Sequence, residues 1–268
     1  MAFDKLSSSC RTRFIFVHCF SAYGRYFFTN NTATRMQAVI LAAGEGTRLR
    51  PLTEHRPKPM VPIAGKPILE YTLGILPKAI DEIIIVTGYK GEKIREYFGN
   101  SFGGKPIIYV EQPDRKGTAD AIEKALPHLK GEYFMVVSGD DLYHPDDLEK
   151  CVIGSQQTIL VKETDQPERF GICLVGKDDL LEGLVEKPKN PPSNLANVGV
   201  YVLHQDIFKI PKVIDEKGEH VLAPKIGELA KMRPTKVIRA QFWHPVGYPE
   251  DIETGTKYLQ TSKEERKN

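Results

Sequence analysis

The chain has 268 residues with 37 Lys and Arg against 35 Asp and Glu, a formal charge of +2, so bulk charge singles out neither nucleic acid nor an anionic membrane as a partner. Its four cysteines, Cys10, Cys19, Cys151 and Cys173, form no C-x-x-C pair and have no His at zinc-finger spacing, which argues against a metal knot or a disulfide framework. No apolar run approaches the roughly 20 residues of a membrane span, so the expected setting is a reducing cytoplasm, and the length suits one large α/β domain or two small ones.

Residues 1–35 are Ser-rich and aromatic, with Arg11, Arg13, Arg25 and Arg35 set against a single acid, Asp4. That composition suits a targeting peptide or an upstream extension with no folded role. The second is the expectation: a disordered extension over 1–35, then a folded domain over 36–268.

The apolar run from Ala38 to Ala42 suits a strand buried on both faces of a parallel sheet. It breaks at Gly44-Glu45-Gly46, where two glycines let backbone N–H groups approach a phosphate without side-chain obstruction. Thr47, Arg48 and Arg50 follow directly, and Arg56 and Lys58 arrive after a Pro-punctuated loop, so a row of donors has cations on its rim. Two better-known phosphate loops fail here. Leu49 stands where the dinucleotide fingerprint needs its third glycine, and Pro67 follows Gly65-Lys66 where the P-loop needs Ser or Thr.

Strands and helices then alternate. The pattern predicts a helix over 68–76 opening behind Pro67, a strand over 82–90, a helix over 91–98, a strand over 106–111, a helix over 118–129 and a strand over 133–138. Repeated β-α-β units predict an α/β fold, Rossmann-like, with a mainly parallel sheet and helices on both faces. Ligands in such sheets bind at the carboxyl ends of the strands. There Gln112 offers an amide able to pair with the Watson–Crick edge of a base, and Gly117 permits close approach at a helix start. Ser138-Gly139-Asp140-Asp141 closes the fourth strand, and a carboxylate beside a phosphate cradle suits Mg²⁺, which keeps one or two carboxylates plus substrate phosphates. Asp141 reads either as a solvated neighbour or as a cap of the helix containing Pro145 to Cys151. A strand over 158–162, a helix over 221–232, a strand over 236–240 and a last helix from 250 to about 260 complete the reading.

The run Gly44-x-Gly46-Thr47-Arg48-Leu49-x-Pro51-Leu52-Thr53, then Pro57-Lys58-Pro59-Met60-x-Pro62 and Gly65-Lys66-Pro67, resembles the signature of the sugar-1-phosphate nucleotidyltransferases, of the glucose-1-phosphate thymidylyltransferase and uridylyltransferase kind. The likeness extends from Met36 to roughly Leu259. It implies transfer of a nucleotidyl group from a nucleoside triphosphate, UTP or dTTP, to a sugar 1-phosphate of glucose or N-acetylglucosamine type, with release of pyrophosphate and formation of a nucleotide-sugar. By the same resemblance, Arg48, Lys58, Asp140 and Lys187 would be catalytic, with Asp140 holding Mg²⁺. Ala42, Gly44, Gly46, Thr47, Gln112 and Gly117 would bind the nucleotide, and Gly171, Glu186, Asn197 and Tyr201 the sugar phosphate, Tyr201 being partly core. Phe242 to Asp251 is similar to the family's Trp-x-Asp-x-Gly-x-Pro-x-Asp element, but Pro245 stands where its second metal-binding Asp belongs. His244 or a water would then substitute, or the ion would lean on Asp140 and phosphates alone. Two other readings stay open: cytidylyl or guanylyl transfer to a different phosphorylated acceptor, and a nucleotide-sensing regulatory homologue with weakened catalysis. Neither nucleic acid nor a membrane is expected as a partner, and oligomeric state carries no signal.

Overall fold

Four aliphatic strands make the centre of the fold. The computed structural model describes residues 35–265 apart from Arg115 and Ser155, and the reading of 1–35 as an extension falls, but for Arg35, outside that range. Strands β1 (Met36–Ala42), β2 (Ile80–Thr87), β3 (Lys105–Glu111) and β4 (Tyr133–Ser138) are parallel, with β1 between β2 and β4, and β3 outside β2. Ala38, Val39 and Ile40 are 0% exposed, the condition of a strand covered on both faces.

Beyond β4 the direction changes. Strands β5 (Thr158–Glu163), β6 (Gly171–Val175), β7 (Leu181–Glu186), β8 (Leu195–His204) and β9 (Lys236–Arg239) complete a ten-stranded sheet together with the short strand Ser101–Phe102 beside β3. The long β8 runs antiparallel to β4 through its second half, meets β6 at Ala196 and carries β5 along its other side. Its pairing with β5 shifts between Asn197 and Tyr201. The α/β, mainly parallel sheet stands as expected, with an antiparallel flank in which β7 was not anticipated.

Helices α1 (Ile68–Gly74), α2 (Glu92–Phe98), α3 (Thr118–Ala125), α4 (Pro145–Val152), α5 (Leu222–Met232) and α6 (Pro249–Glu265) surround the sheet. Leu69, Leu73, Ile94, Phe98, Leu148 and Cys151 seat α1, α2 and α4 on one face, while Ala119, Ile122, Ile226 and Leu229 seat α3 and α5 on the other. A clamp joins the last pair: Lys225 Nζ on α5, with its side chain 0% exposed, lies 3.0 Å from Glu123 Oε1 on α3. Helix α3 stops at Ala125 and gives way to a 3₁₀ turn over Leu126–His128, short of the expected end, because Pro127 has no N–H to continue the ladder. A third apolar cluster, Leu49, Val61, Ile63, Ile68, Leu142 and Val246, with Ile252 and Leu259 of α6 packed on it, lies outside the two sheet faces and supports the signature loop. Among the described residues no helix is long and apolar enough to cross a membrane.

Ile40 pairs with Ile85 on one side and Val137 on the other, at 0% exposure. Ile40→Ala should lower unfolding free energy by about 2–5 kcal/mol, the range for truncation of a buried aliphatic side chain, read as a fall in the urea midpoint at unchanged m-value.

Candidate active site

The chain leaves β1 through a loop whose shape is set by close packing. Gly46 sits at φ +69°, and a Cβ there would stand 2.7 Å from Lys58 Cβ. Thr53 Oγ1 donates to the Gly46 carbonyl at 2.9 Å, and Leu49, 0% exposed, anchors the following turn in the third apolar cluster. The glycine turn is thereby folded down onto Lys58. Lys58 Nζ in turn lies 2.8 Å from Asp140 Oδ2 and 3.9 Å from Asp141 Oδ1, at the carboxyl end of β4.

This buried cluster perturbs its own members. Burial pulls the Lys58 pKa down, but Asp140 and then Asp141 outweigh that pull and hold it above the usual lysine value. Burial, followed by the charge of Asp140, pushes the Asp141 carboxyl up to about 6 against the opposing influence of Lys58 and the N–H groups of Val246 and Trp243. Asp141 is therefore neither a solvated neighbour nor a helix cap. Its Oδ1 accepts from Val246 N at 3.0 Å and its Oδ2 from Trp243 Nε1 at 3.0 Å, so it pins the segment before α6 against the end of β4. The N-cap of α4 is His144, whose Nδ1 accepts from Asp146 N at 3.3 Å.

Two cavities meet at Asp140. The smaller, about 550 Å³, is walled by Gly44, Gly46, Gln112 and Gly117, and the larger, about 760 Å³, by Arg48, Lys58, Gly171, Glu186, Lys187, Asn197 and Tyr201. Leu41, Thr47, Thr118, Ser138 and Glu219 belong to both walls along with Asp140. The site residues read from the sequence thus converge, with one exception. Ala42 is 1% exposed and packs in the core, and its neighbours Leu41 and Ala43 reach the wall instead. Arg50 is drawn to Glu45, and neither Arg50 nor Arg56 lines either of these two cavities.

In the smaller cavity Gly117, at φ +96°, lies against the backbone of His220, where a Cβ would come within 2.5 Å of the carbonyl oxygen. Ala119 N donates to that carbonyl at 2.9 Å and His220 N to the Lys116 carbonyl at 2.6 Å, so the segment entering α5 is zipped onto the start of α3. In the larger cavity the guanidinium carbons of Arg48 and Arg169 lie 5.1 and 5.0 Å from the centroid of the Tyr248 ring, which gathers two cations around one aromatic side chain. Lys187, 64% exposed, holds its ammonium 2.9 Å from Glu186 Oε1. Asn197 accepts from Gly199 N at 3.0 Å and donates to the Tyr201 hydroxyl at 2.6 Å, so its amide fixes the bend in β8. Arg169, Glu219 and Tyr248 were not anticipated as wall residues, although Arg169 stands two positions before Gly171 and Tyr248 lies within the Phe242 to Asp251 element.

Residues 37–262 match the family model described as Nucleotidyl transferase. The chain belongs to the nucleotidyltransferase family. It is 41% identical over 227 residues to the bifunctional protein GlmU of Methanocaldococcus jannaschii, an alignment covering 84% of this chain and 54% of that protein. It is 36% identical over 236 residues to the UTP–glucose-1-phosphate uridylyltransferase AglF of Haloferax volcanii, covering 84% of this chain and 97% of the relative. The chain thus spans about half the length of the GlmU proteins it matches and nearly all of AglF. A UDP-glucose pyrophosphorylase solved with UDP-glucose superposes with a TM-score of 0.76 over 85% of this chain and 99% of the other, at 24% identity, which shows a shared fold. The resemblance to sugar-1-phosphate nucleotidyltransferases read from the motifs agrees with these relatives.

In this nucleotidyltransferase the segment after Trp243 offers little to a cation. Pro245 lines the larger cavity without a donor atom on its side chain, and His244 Nε2 sits 2.7 Å from the Asp251 carbonyl oxygen, engaged with α6. Both Asp141 oxygens already accept N–H groups. Asp140, 33% exposed and on the wall of both cavities as Glu219 also is, is a carboxylate that could hold an ion there.

Gly46→Ala should cost about 1–2 kcal/mol, because its Cβ meets both a left-handed backbone and Lys58. Gly44→Ala, with nothing within 4 Å of its added carbon, should change stability by less than about 0.5 kcal/mol. Paired denaturant titrations of the two variants check the difference.

Proposed function

We propose that this protein transfers a nucleotidyl group from UTP or dTTP to a sugar 1-phosphate of glucose or N-acetylglucosamine type, releasing pyrophosphate and forming a nucleotide-sugar. The observation that carries the reading is the Lys58–Asp140 pair at the junction of two cavities, one walled by the glycine loop and Gln112, the other by Arg48, Arg169, Lys187 and Glu186. Two anionic substrates brought from opposite sides would meet there. The names of AglF and of the UDP-glucose pyrophosphorylase support the uridylyl version, and a neighbour at TM-score 0.73 described as a putative glucose-1-phosphate thymidylyltransferase supports the thymidylyl one.

The chemistry follows from charge. An oxygen of the sugar phosphate attacks the α-phosphorus, a new P–O bond forms, the bond to the β-phosphate bridge breaks, and pyrophosphate leaves with the electron pair. The nucleophile is already ionised near neutral pH, so no general base is required. Catalysis must come from holding two anions in line and from neutralising charge as it moves to the leaving group. Backbone N–H groups of the Gly44 to Thr47 loop and the Arg48 guanidinium would receive the leaving phosphates, a bidentate task suited to arginine. Lys58, kept protonated by its two carboxylates, would sit at the α-phosphate. Lys187 would hold the incoming phosphate while Glu186 accepts sugar hydroxyls. A divalent ion, Mg²⁺ by the donor chemistry, would be held by Asp140 and the substrate phosphates, where it supplies further positive charge to the triphosphate.

The experiment is pyrophosphate release from UTP or dTTP with glucose 1-phosphate or N-acetylglucosamine 1-phosphate and Mg²⁺. Release requiring both substrates is expected; no release with any pair would remove the proposal. Arg48→Ala should lower kcat/KM by more than about tenfold, the loss of one charge-assisted contact in the transition state. Asp140→Asn should shift the Mg²⁺ titration to higher concentration or abolish turnover, and an unchanged titration would place the ion elsewhere.

A further inference from the structure

Gln112 closes the inner wall of the smaller cavity at 3% exposure. A primary amide presents a donor or an acceptor according to which way it is turned, and in water the two orientations are nearly equivalent. Here two neighbours remove that freedom. Gln112 Nε2 donates to the Gly117 carbonyl at 2.8 Å and to Asp120 Oδ2 at 2.8 Å, and with the carboxylate ionised both of those oxygens can only accept. Both amide hydrogens are thereby used, and Oε1 is left as the polar atom available to a ligand. Turning the amide over would set oxygen against two oxygens where little water can intervene, since Asp120 is itself 8% exposed.

We infer that Asp120 is a positioning residue that fixes the Gln112 amide with its oxygen toward the nucleotide base, and so makes the site select bases carrying a ring N–H, uracil, thymine and guanine, over cytosine and adenine. The ring nitrogen at the corresponding edge of cytosine or adenine is an acceptor, and it would face Oε1 lone pair to lone pair. This inference rests on the reading of the smaller cavity as the nucleotide half of the site.

The carboxylate is well placed to hold this role. It lies in the first turn of α3, whose start is fixed from behind by the His220 carbonyl on Ala119 N at 2.9 Å and by Leu222 N donating to Thr118 Oγ1 at 3.2 Å. Asp120, Glu123 and His220 also bring ligand-type atoms within 4.8 Å of one another. Glu123, however, is already matched by Lys212 and Lys225 at 3.0 Å each, so ammonium groups neutralise that cluster and Asp120 Oδ2 remains with Gln112.

The test is the ratio of equilibrium dissociation constants for CTP and UTP, measured calorimetrically with Mg²⁺ on the full chain and on D120N, D120A and Q112A. The wild-type protein is expected to bind UTP at least about tenfold more tightly than CTP, the discrimination that one buried hydrogen-bond mismatch provides. D120N and D120A both remove the carboxylate that takes the second amide hydrogen and leave only the Gly117 carbonyl to orient the Gln112 amide, so each should cut the ratio by about threefold or more, D120N the further because its new amide can donate to Oε1. Both nucleotides are measured on one preparation, so a partly unfolded sample lowers the bound fraction for each and leaves the ratio alone. A collapsed ratio in Q112A with an unchanged one in D120N and D120A would overturn the role of Asp120 while leaving Gln112 as the base reader. An unchanged ratio in Q112A, or a wild-type preference for CTP, would overturn the inference itself, whereas absence of binding by every nucleotide would sink the nucleotidyl-transfer reading beneath it.

Discussion

One ammonium between two carboxylates governs the site. Lys58, Asp140 and Asp141 share a region that is only 13–33% exposed at the side chains, where taking charges out of water is costly and pairing recovers only part of that cost. The cluster carries one more negative charge than positive, and Asp141 is pushed up to about 6 by burial first and then by the charge of Asp140. What makes the arrangement tolerable is fixed geometry: N–H groups from Trp243 and Val246 on Asp141, and an apolar cluster beneath the loop that carries Lys58. Stability surrendered there yields a cation held at one point before any substrate arrives, which is what an electrostatic catalyst of reactions between anions requires.

The change of strand direction explains why that point has two sides. β1 and β4 end together in the manner of a parallel sheet, and their carboxyl-end loops supply the glycine turn and Asp140. On the far side of β4 the antiparallel β8 brings Asn197 and Tyr201 to the second cavity, and β6 and β7 bring Gly171 and Glu186. A wholly parallel sheet would place helix crossovers at that flank. The bend in β8, where its pairing with β5 shifts, lets one strand border β4 and β6 in succession and so join the two half-sites across Asp140.

What the sequence revealed and what it hid divide along contact range. The glycine turn, the Pro-Lys-Pro cation and Asp140 were legible because each sits in a short motif whose backbone demands are local: a left-handed glycine, a proline-set turn, an acid closing an aliphatic strand. The task of Asp141 was not, since its partners Trp243 and Val246 lie 102 and 105 residues further along the chain and neither bears a motif that names it. Arg48 and Arg169 are likewise far from Tyr248 in sequence, and only the folded chain shows two guanidinium groups sharing one ring. Asn197 was read as a ligand residue from the family pattern, yet its amide is engaged with Gly199 and Tyr201, so its part in shaping the wall is as direct as any contact with a sugar. β7 carries little strand signal because Gly183 and the two glutamates, Glu182 and Glu186, interrupt the alternation that marks a half-buried strand.

Charge balance is consistent with a proline at 245, where the motif resemblance implies an acid. An aspartate at 245, on the same cavity wall as Asp140 and Asp141, would add a third negative charge to a cluster that holds a single ammonium. With Asp141 already displaced to about 6, further like charge would drive it toward the protonated state and weaken its acceptance of the two N–H groups. The second acid of the cluster holds the 243–246 segment, and Pro245 contributes a ring with fixed φ that stiffens that same segment. Asp141 thus serves as a pin through both of its oxygens, and Pro245 between its two partners brings no further charge to the wall that Asp140 shares.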